Sequence, residues 1–516
     1  MRYATRPALL LLLIGAACAS AAGGRGRAPA VTHQADERLP PLSAFDAGER
    51  RIAYNEALTQ EQQGWRAESA GDVDAARAPL EGAARGYLAF VERYPNTGWD
   101  VTLRYHAADL LRRATRHEEA AALAERVAND PRADAKTRAM AWLQAANALV
   151  GAGKMEPLRV VPAQEREGAP PSPRTPQEPW RRFVDAADAH LQSLDPAKPE
   201  PVDRLMSAGQ LALVAARVAF ASDDMPAARR RLAAILERWP RDAQVFQGAA
   251  PLYVQTFLVE RDDAAAEQAV ARVREAAAAQ APQAKDADAR AAYEAVREEA
   301  GRVGSGIRFE QAKALLEEGK AREAAEAFEA LAGGDGDAAA ALSGAAVAWD
   351  RAGEGDRAAS LRRRILEEHG DSKVAPQSTL QLAAYLSKKG DHAEAGRMYV
   401  RHAERWPDDP SHCVALRNGA VELDRARRGL EAAGRYRAFG SEARCAESSP
   451  DVAVLALHRA GQLYLGARKR TDAREAFQAA AAIEGVTTPD AKQRMADARA
   501  QAKRLGAAAG RRAPAR

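Results

Sequence analysis

Cysteines, histidines and glycine-rich segments are the parts of this sequence with the potential for chemistry. The chain of 516 residues contains three cysteines and nine histidines. His392, His402 and His412 lie ten residues apart, which is not the spacing of three or four that places two metal ligands on one helix face. No His-Glu-x-x-His segment occurs in the sequence. The sequence therefore predicts no metal site.

Two glycine-rich segments have the composition of ligand-binding loops but lack the required residues. Gly151–Lys154 has neither the leading glycine nor the Ser/Thr of a phosphate loop. Gly333–Asp337 lacks the alternating oxygen ligands and the closing glutamate of a calcium loop. No Gly-x-Ser-x-Gly elbow is present, and no cysteine has a recognisable catalytic partner. We therefore expect no enzyme activity, no cofactor and no small-molecule substrate.

The composition indicates helices as the elements that position these residues. Hydrophobic residues make up 47% of the chain but aromatic residues only 5%, and alanine, the strongest helix former, accounts for much of the difference. No segment alternates with the period of two that a strand requires. The 75 basic and 71 acidic residues nearly balance, which gives no electrostatic reason to expect a nucleic-acid partner.

A recurring spacing of small and large residues is clearest in segment 454–484. Gly461 is followed by Tyr464, and Ala473 is followed by Phe477. Two helices cross closely only where a side chain is small, and a large residue one turn away fills the space beside the crossing. The spacing therefore predicts a pair of packed helices.

The same spacing recurs along the chain and resembles that of the tetratricopeptide-repeat family, whose unit has about 34 residues. Similar endings, with an aromatic residue and then a proline, close three of the second helices at 92–95, 237–240 and 404–407; they resemble those of bacterial periplasmic and outer-membrane lipoproteins of this family. The resemblance covers roughly residues 50–155 and 205–485, and implies an all-α solenoid of antiparallel helix pairs with about eight to ten repeats. The other residues that carry the pattern are Ala228, Pro240, Ala312, Ala324, Phe328, Ala383, Ala395, Tyr399 and Pro407.

Changes in composition divide the chain into segments. Seven prolines between 157 and 179 interrupt the repeats, and a polar helix after the last repeat is suited to cap the stack. The predicted segments are a signal peptide (1–22), a flexible tether (23–45), N-terminal repeats (46–155), a proline-rich linker or loop (156–180), divergent middle repeats (181–304), a C-terminal array (305–486), a capping helix (487–506) and a disordered tail (507–516).

The N-terminus has the features of an export signal. Arg2 and Arg6 precede an apolar run, Ala8–Ala17, which is too short to span a bilayer. No later stretch reaches about 18 apolar residues. We expect an exported protein without a transmembrane helix in its mature chain.

Cys18 follows this run and resembles the lipidated cysteine of bacterial lipoproteins. The resemblance implies a periplasmic protein anchored to the outer membrane, and Ala19, in place of aspartate, favours outer-membrane sorting. Gly15 departs from the family pattern, in which leucine is usual at that position. The alternative is cleavage after Ala21 or Ala22, which would remove Cys18.

Cys413 and Cys445 remain as an even pair in an oxidising compartment, where disulfides persist. The repeat assignment places Cys413 at the start of a first helix and Cys445 after the second helix of the same pair. Antiparallel helices bring these two ends together, so we predict a disulfide. The alternative is two free, buried thiols.

The resemblance and the missing catalytic motifs favour a non-enzymatic scaffold for protein–protein interactions in the bacterial cell envelope. Its partners would be envelope proteins or peptides bound in a groove lined by the first helices. The alternative is a structural spacer in a machine for outer-membrane assembly, cell-wall synthesis, polysaccharide export or motility. The sequence does not identify the partner.

Overall fold

The computed structural model describes residues 39–45, 48–166, 170–195 and 206–510, with side chains up to residue 507. The predicted signal peptide, Cys18, most of the tether and residues 511–516 lie outside the described residues. Within those ranges every regular element is a helix, and no strand occurs. This confirms the all-α prediction. Three short 3₁₀ helices, Leu42–Ala44, Ala163–Glu165 and Ala281–Gln283, accompany the α-helices.

The chain divides into two compact units, residues 1–304 and 305–516. One long helix, α11 (Ala287–Glu317), contributes residues to both units. The other helices of unit 1 are α1 (Glu49–Ser69), α2 (Val73–Arg93), α3 (Asp100–Arg113), α4 (His117–Ala128), α5 (Ala135–Gly151), α6 (Trp180–Ser193), α7 (Ala208–Ala221), α8 (Met225–Arg238), α9 (Ala243–Val259) and α10 (Asp263–Gln280).

Unit 2 continues with the same kind of short helices. They are α12 (Ala321–Leu331), α13 (Ala338–Arg351), α14 (Gly355–Glu368), α15 (Ala375–Lys389), α16 (His392–Arg405), α17 (His412–Arg425), α18 (Gly429–Ser441), α19 (Ala443–Ser448), α20 (Pro450–Gly466), α21 (Arg470–Ala482) and α22 (Pro489–Gly510). None of the helices that the structure describes is long and apolar enough to cross a membrane.

Each unit is a stack of antiparallel helix pairs. Successive helices pack on one another, for example α1 on α2 and α20 on α21. Most are joined by short turns, whereas the proline-rich stretch separates α5 from α6. First helices of neighbouring pairs also touch, as α3 touches α5 and α7 touches α9. The described helices form ten pairs, with α19 inserted between two of them and α22 following the last, so the predicted solenoid fold is confirmed.

Glycine and proline set the ends of many helices. Gly71 and Gly390 adopt φ of 83° and 85° in the turns that join two helices of a pair, a conformation that glycine takes without steric cost. Helices α2, α8 and α16 end just before Tyr94, Trp239 and Trp406, whose φ values of −126°, −122° and −125° leave the helical range. A proline follows each of these aromatic residues and cannot continue the helix.

The repeat residues lie inside the two stacks. Phe477 and Phe328 are almost fully buried, and a side chain added at Gly461 would meet the Phe477 ring. Pro407 is exposed and Pro240 is partly exposed at the ends of their helices. The remaining members of the set are buried: Ala228, Ala312, Ala324, Ala383, Ala395, Tyr399, Gly461, Tyr464 and Ala473.

The C-terminal end of the fold differs from the prediction. The sequence predicts a capping helix that ends at residue 506, followed by a disordered tail from 507. The structure continues α22 to Gly510. The three residues that precede Gly510 are alanines. Because alanine is the strongest helix former, the helix continues beyond the predicted boundary.

Candidate functional site: a groove beside α9

Unit 1 contains a cavity of 210 Å³ on one side of α9. Helices α7, α9, α10 and α11 form its walls, and the chain after α5 closes one edge. We call this cavity the α9 groove. Its lining includes Val160, Pro162, Arg217, Gln247, Gly248, Pro251, Gln255, Val273, Val296, Glu299, Ala300, Arg302 and Val303.

Two residues of α9 that interrupt its regularity shape the groove. A Cβ at Gly248 would lie 2.5 Å from Leu213 Cδ2, so the absence of a side chain lets α9 approach α7 closely. Pro251 follows within the same helix, and its ring is exposed at the groove. Proline has no N–H, so it removes the regular donor to the Gln247 carbonyl one turn earlier. The groove thus lies beside a turn of α9 that lacks one backbone donor.

The polar groups at the rim carry both signs of charge. Arg302 Nη2 lies 2.5 Å from Glu299 Oε2, and Arg217 lines the opposite side on α7. Arg302 is largely exposed, whereas Glu299 is mostly covered. An apolar floor with a few polar groups at its edge is typical of sites that bind a ligand by shape and fix its orientation by hydrogen bonds.

Residues 156–166, which we call the proline segment, border one edge of the groove through Val160 and Pro162. Ala163–Glu165 of this segment form a 3₁₀ helix. Pro162 has φ −70° and ψ 160°, the values of a polyproline II helix. The Ala163 N–H donates to Gln255 Oε1 at 3.0 Å, and Gln255 is buried on α9. A side-chain amide of α9 therefore binds the backbone at the point where the extended Pro162 leads into the 3₁₀ helix.

Two arginines fix the proline segment and the following residues to the end of α7. Arg166 Nη1 lies 2.7 Å from Asp223 Oδ1, and Arg174 Nη2 lies 3.0 Å from Asp223 Oδ2. The backbone N–H of Arg174 donates to the Ser222 carbonyl at 2.8 Å. Positive charges are favourable at a helix C-terminus, where carbonyls lack intrahelical partners. The described residues on either side of 167–169 are thus held at the C-terminal end of α7.

A second polar cluster in unit 1 centres on Glu61. Its Oε1 accepts from Trp65 Nε1 at 2.9 Å and lies 2.9 Å from His106 Nε2. Its Oε2 accepts from the Tyr87 hydroxyl at 2.6 Å. Burial raises the pKa of Glu61, but the hydrogen bonds and charge of His106 and the other donors outweigh burial and hold the pKa below its ordinary value. The ionised carboxylate connects α1, α2 and α3.

Unit 2 brings the two cysteines together. Cys413 lies in the first turn of α17 and Cys445 lies in α19, and the two form a disulfide with Cα atoms 5.4 Å apart. His412 precedes Cys413 and its Nε2 lies 2.9 Å from Glu442 Oε2. Ligand-capable atoms of His412, Glu442 and Cys445 all lie within 4.8 Å of one another.

The comparisons with known proteins concern the fold. No protein-family profile and no curated protein matches the sequence. Solved structures with a similar arrangement include Podosopora anserina kinesin light chain TPR-like repeats (15% identity, 34% of this chain and 93% of that one, TM-score 0.24). Two others are yeast Tom70 (14%, 87% and 96%, TM-score 0.22) and the P58(IPK) TPR domain (15%, 78% and 99%, TM-score 0.18). Two of these three are described as TPR or TPR-like.

His392, His402 and His412, which lie ten residues apart in the sequence, have different partners in the structure. His392 Nδ1 pairs with Glu422 Oε2 at 2.7 Å, and His402 is fully buried with Nε2 3.7 Å from Asp409 Oδ1. Only His412 joins a group of three ligand-capable residues among those described. Its partner Glu442 is 30 residues away, so a search along one helix face misses it. The two residues meet because α17 and α18 are antiparallel, which could have been used to predict the contact.

Proposed function

We propose that this protein is a non-enzymatic binding scaffold that holds an extended, proline-containing segment of a partner protein in the α9 groove. The observation that carries the proposal is the proline segment, whose backbone at Ala163 binds Gln255 beside a cavity of 210 Å³. This contact within the chain supports a backbone of similar conformation as the kind of ligand we propose. Extended segments with polyproline II geometry are ordered before they bind, which lowers the entropic cost of association.

The chemistry of the groove defines the expected ligand. Val273, Val296 and Val303 offer apolar surface, and Pro251 removes the regular helical donor to the Gln247 carbonyl. A partner with an apolar side chain flanked by a backbone N–H therefore fits better than a charged one, because burial of an unpaired charge is costly. The mixed charges of Glu299 and Arg302 favour no strongly acidic or basic peptide.

The test measures peptide binding to the full chain and to a variant with a filled groove. Arrays of extended peptides that differ only in proline content and apolar side chains supply candidates, and fluorescence polarisation gives their affinities. We expect the Val303→Trp substitution, which places an indole in the groove, to weaken binding by about tenfold or more, equivalent to ~1.4 kcal/mol.

The matched control adds the same side chain elsewhere. Ile52 is 60% exposed on α1 and does not line the groove, so Ile52→Trp should leave peptide affinity unchanged. Equal affinities for the unmodified chain and Val303→Trp, with unchanged helical content, would contradict the proposal. Failure of every peptide to bind would favour the alternative, a structural spacer.

The site of action is proposed from the N-terminal sequence. We place the scaffold in the bacterial cell envelope, exported and anchored to the outer membrane through a lipidated Cys18, with envelope proteins as its partners. Metabolic labelling with a palmitate analogue tests the anchor, since label should be lost in Cys18→Ala. Retention of the label in Cys18→Ala would exclude lipidation at this residue, and ordinary cleavage after Ala21 or Ala22 would release an unlabelled chain.

A further inference from the structure

The disulfide of unit 2 lies beside a preformed histidine–carboxylate pair. His412 is 7% exposed, and its Nε2 is 2.9 Å from Glu442 Oε2. The sulfur of Cys445 lies within 4.8 Å of a ring nitrogen of His412 and of a carboxylate oxygen of Glu442, and Cys413 is bonded to Cys445. We call these four residues the cysteine cluster. Two sulfurs, one imidazole nitrogen and one carboxylate oxygen form a donor set suited to a four-coordinate zinc site.

The distances among His412, Glu442 and Cys445 approach those of such a site. The fourth residue, Cys413, is held beside them by its bond to Cys445. Zinc lies about 2.3 Å from sulfur and about 2.0–2.2 Å from nitrogen or oxygen, so the ligands of a tetrahedral ion are separated by roughly 3.3–3.8 Å. The atoms of His412, Glu442 and Cys445 already lie within 4.8 Å of one another. Shifts of about 1 Å, within the reach of side-chain rotation, would bring them to the required separation.

The neighbours of these ligands orient them as in known metal centres. His412 Nδ1 lies 3.1 Å from the Ala403 carbonyl oxygen, so Nδ1–H donates there, and Nε2, which contacts Glu442 Oε2, is the nitrogen that would bind a metal. Arg444 Nε donates to Glu442 Oε1 at 2.5 Å, which leaves Oε2 on the side of His412. The charge of Arg444 also offsets the negative charge that two thiolates and a carboxylate would bring together.

We propose that the reduced form of unit 2 binds one divalent zinc-like cation through Cys413, Cys445, His412 and Glu442. A dithiol reductant first exchanges with the Cys413–Cys445 bond: the S–S bond breaks, the reductant becomes a disulfide, and two thiols form. The cation then displaces one proton from each thiol and the Nε2 proton of His412, all of which go to solvent, and binds the two thiolates, the neutral His412 and the ionised Glu442. Exchange with a small-molecule disulfide reverses the reaction: the S–S bond of that oxidant breaks and leaves as two thiols, the Cys413–Cys445 bond forms again, and the cation is released.

A second pair in unit 2 serves as an internal control. His392 Nδ1 lies 2.7 Å from Glu422 Oε2, and these residues are 30 positions apart, as are His412 and Glu442. No cysteine accompanies His392 and Glu422, since Cys413 and Cys445 are the only cysteines of the described residues. The two pairs therefore differ in the presence of sulfur ligands.

The test uses the full chain with Cys18→Ser, so that only the two cysteines of the cluster remain. The protein is reduced, separated from the reductant without oxygen and titrated with Co²⁺, which gives thiolate charge-transfer and tetrahedral d–d absorption. We expect one Co²⁺ per chain in the reduced form, displacement by Zn²⁺, and no such bands in the oxidised form. His412→Ala and Glu442→Gln should each weaken binding by about tenfold or more, and His392→Ala should not.

Three results would overturn the proposal. They are the absence of cobalt bands in the reduced chain, bands that survive in Cys413→Ser/Cys445→Ser, and an affinity unchanged by both His412→Ala and Glu442→Gln. Circular dichroism of each variant accompanies the titration. If reduction lowers the helical content, one equivalent of Co²⁺ should restore it in the unmodified cluster but not in His412→Ala, and failure to restore it would also contradict the proposal.

Discussion

The pairs α1/α2 in unit 1 and α20/α21 in unit 2 share one close contact. A Cβ at Gly64 would lie 2.5 Å from Leu80 Cδ2, and a Cβ at Gly461 would lie 2.6 Å from Phe477 Cε1. In both pairs the large residue follows the glycine by sixteen positions. The first helix thus approaches the second where a hydrogen replaces a side chain.

The pairs differ in the buried polar residue that lies three positions before the glycine. In unit 1 this residue is Glu61, whose partners Trp65, Tyr87 and His106 surround the carboxylate. In unit 2 it is His458, whose Nε2 lies 2.7 Å from Asp497 Oδ2, on a side chain that is 46% exposed. The position of the glycine thus sets where the two helices cross, whereas the polar residue joins that crossing to the next helix. The contribution of the polar residue to stability depends on how deeply its partner is buried.

The largest expected effect is on unit 1. Glu61→Ala removes the buried carboxylate that Trp65, Tyr87 and His106 contact, and we expect a loss of about 3–5 kcal/mol in the free energy of unfolding. Urea unfolding, with hydrogen exchange of α1–α3, measures it. Glu118→Ala removes a carboxylate that is 67% exposed in the same unit and should change stability by less than about 0.5 kcal/mol. Similar losses in both variants would show that the Glu61 contacts contribute little.

The next effect compares two glycines of α20. Gly461→Ala places a methyl group against the Phe477 ring, and overpacking of this kind costs about 1–3 kcal/mol. A Cβ at Gly466 meets nothing within 4 Å, so Gly466→Ala should be neutral or stabilising, because alanine favours helix. Hydrogen exchange in α20 and α21 reports the difference. Equal stability of the two variants would contradict the importance of the glycine crossing.

A smaller effect is expected at the partner of His458. The hydrogen bond from His458 lowers the pKa of Asp497 and thereby favours its charged form, but solvent screens the exposed carboxylate. Asp497→Asn should therefore cost about 1 kcal/mol or less. Asp490→Asn, on the same helix with a side chain 62% exposed, is the control for a general effect of charge on α22. A loss from Asp497→Asn as large as that from Glu61→Ala would refute the dependence on partner burial.

The last effect appears only in acid. The folded pKa of Glu61 is below its ordinary value, so the unfolded chain binds more protons between the two pKa values and stability rises with pH there. The contribution of Glu61 is complete above the ordinary pKa and is lost as the pH falls through the folded pKa. Glu61→Gln should therefore flatten the pH dependence of urea unfolding below the ordinary range of glutamate. An unchanged slope would mean that other carboxylates dominate it.

Helix pairs were predictable from the sequence because their packing depends on nearby residues. Gly461 and Phe477 are sixteen positions apart, and their sizes alone specify a close crossing. The same reasoning gave the helix ends before Pro95, Pro240 and Pro407, since proline interrupts a helix wherever it occurs.

The α9 groove and the cysteine cluster required the three-dimensional arrangement. Gly248 and Pro251 match no position of the repeat, and the groove also needs α11 and the proline segment, which are distant in the chain. Glu442 reaches His412 only because antiparallel helices return the chain after 30 residues. Sequence spacing along one helix contains no signal for such contacts.

The Cys413–Cys445 bond also has a mechanical consequence. A helical-repeat chain pulled between its two ends extends as its helix pairs separate, one after another. The disulfide closes a loop with a sequence separation of 32, so those residues cannot lengthen even after α17 and α18 lose their packing. At about 3.3–3.6 Å per residue, roughly 110 Å of contour length stays out of the extended chain. Reduction of one bond would therefore increase how far the protein stretches under load.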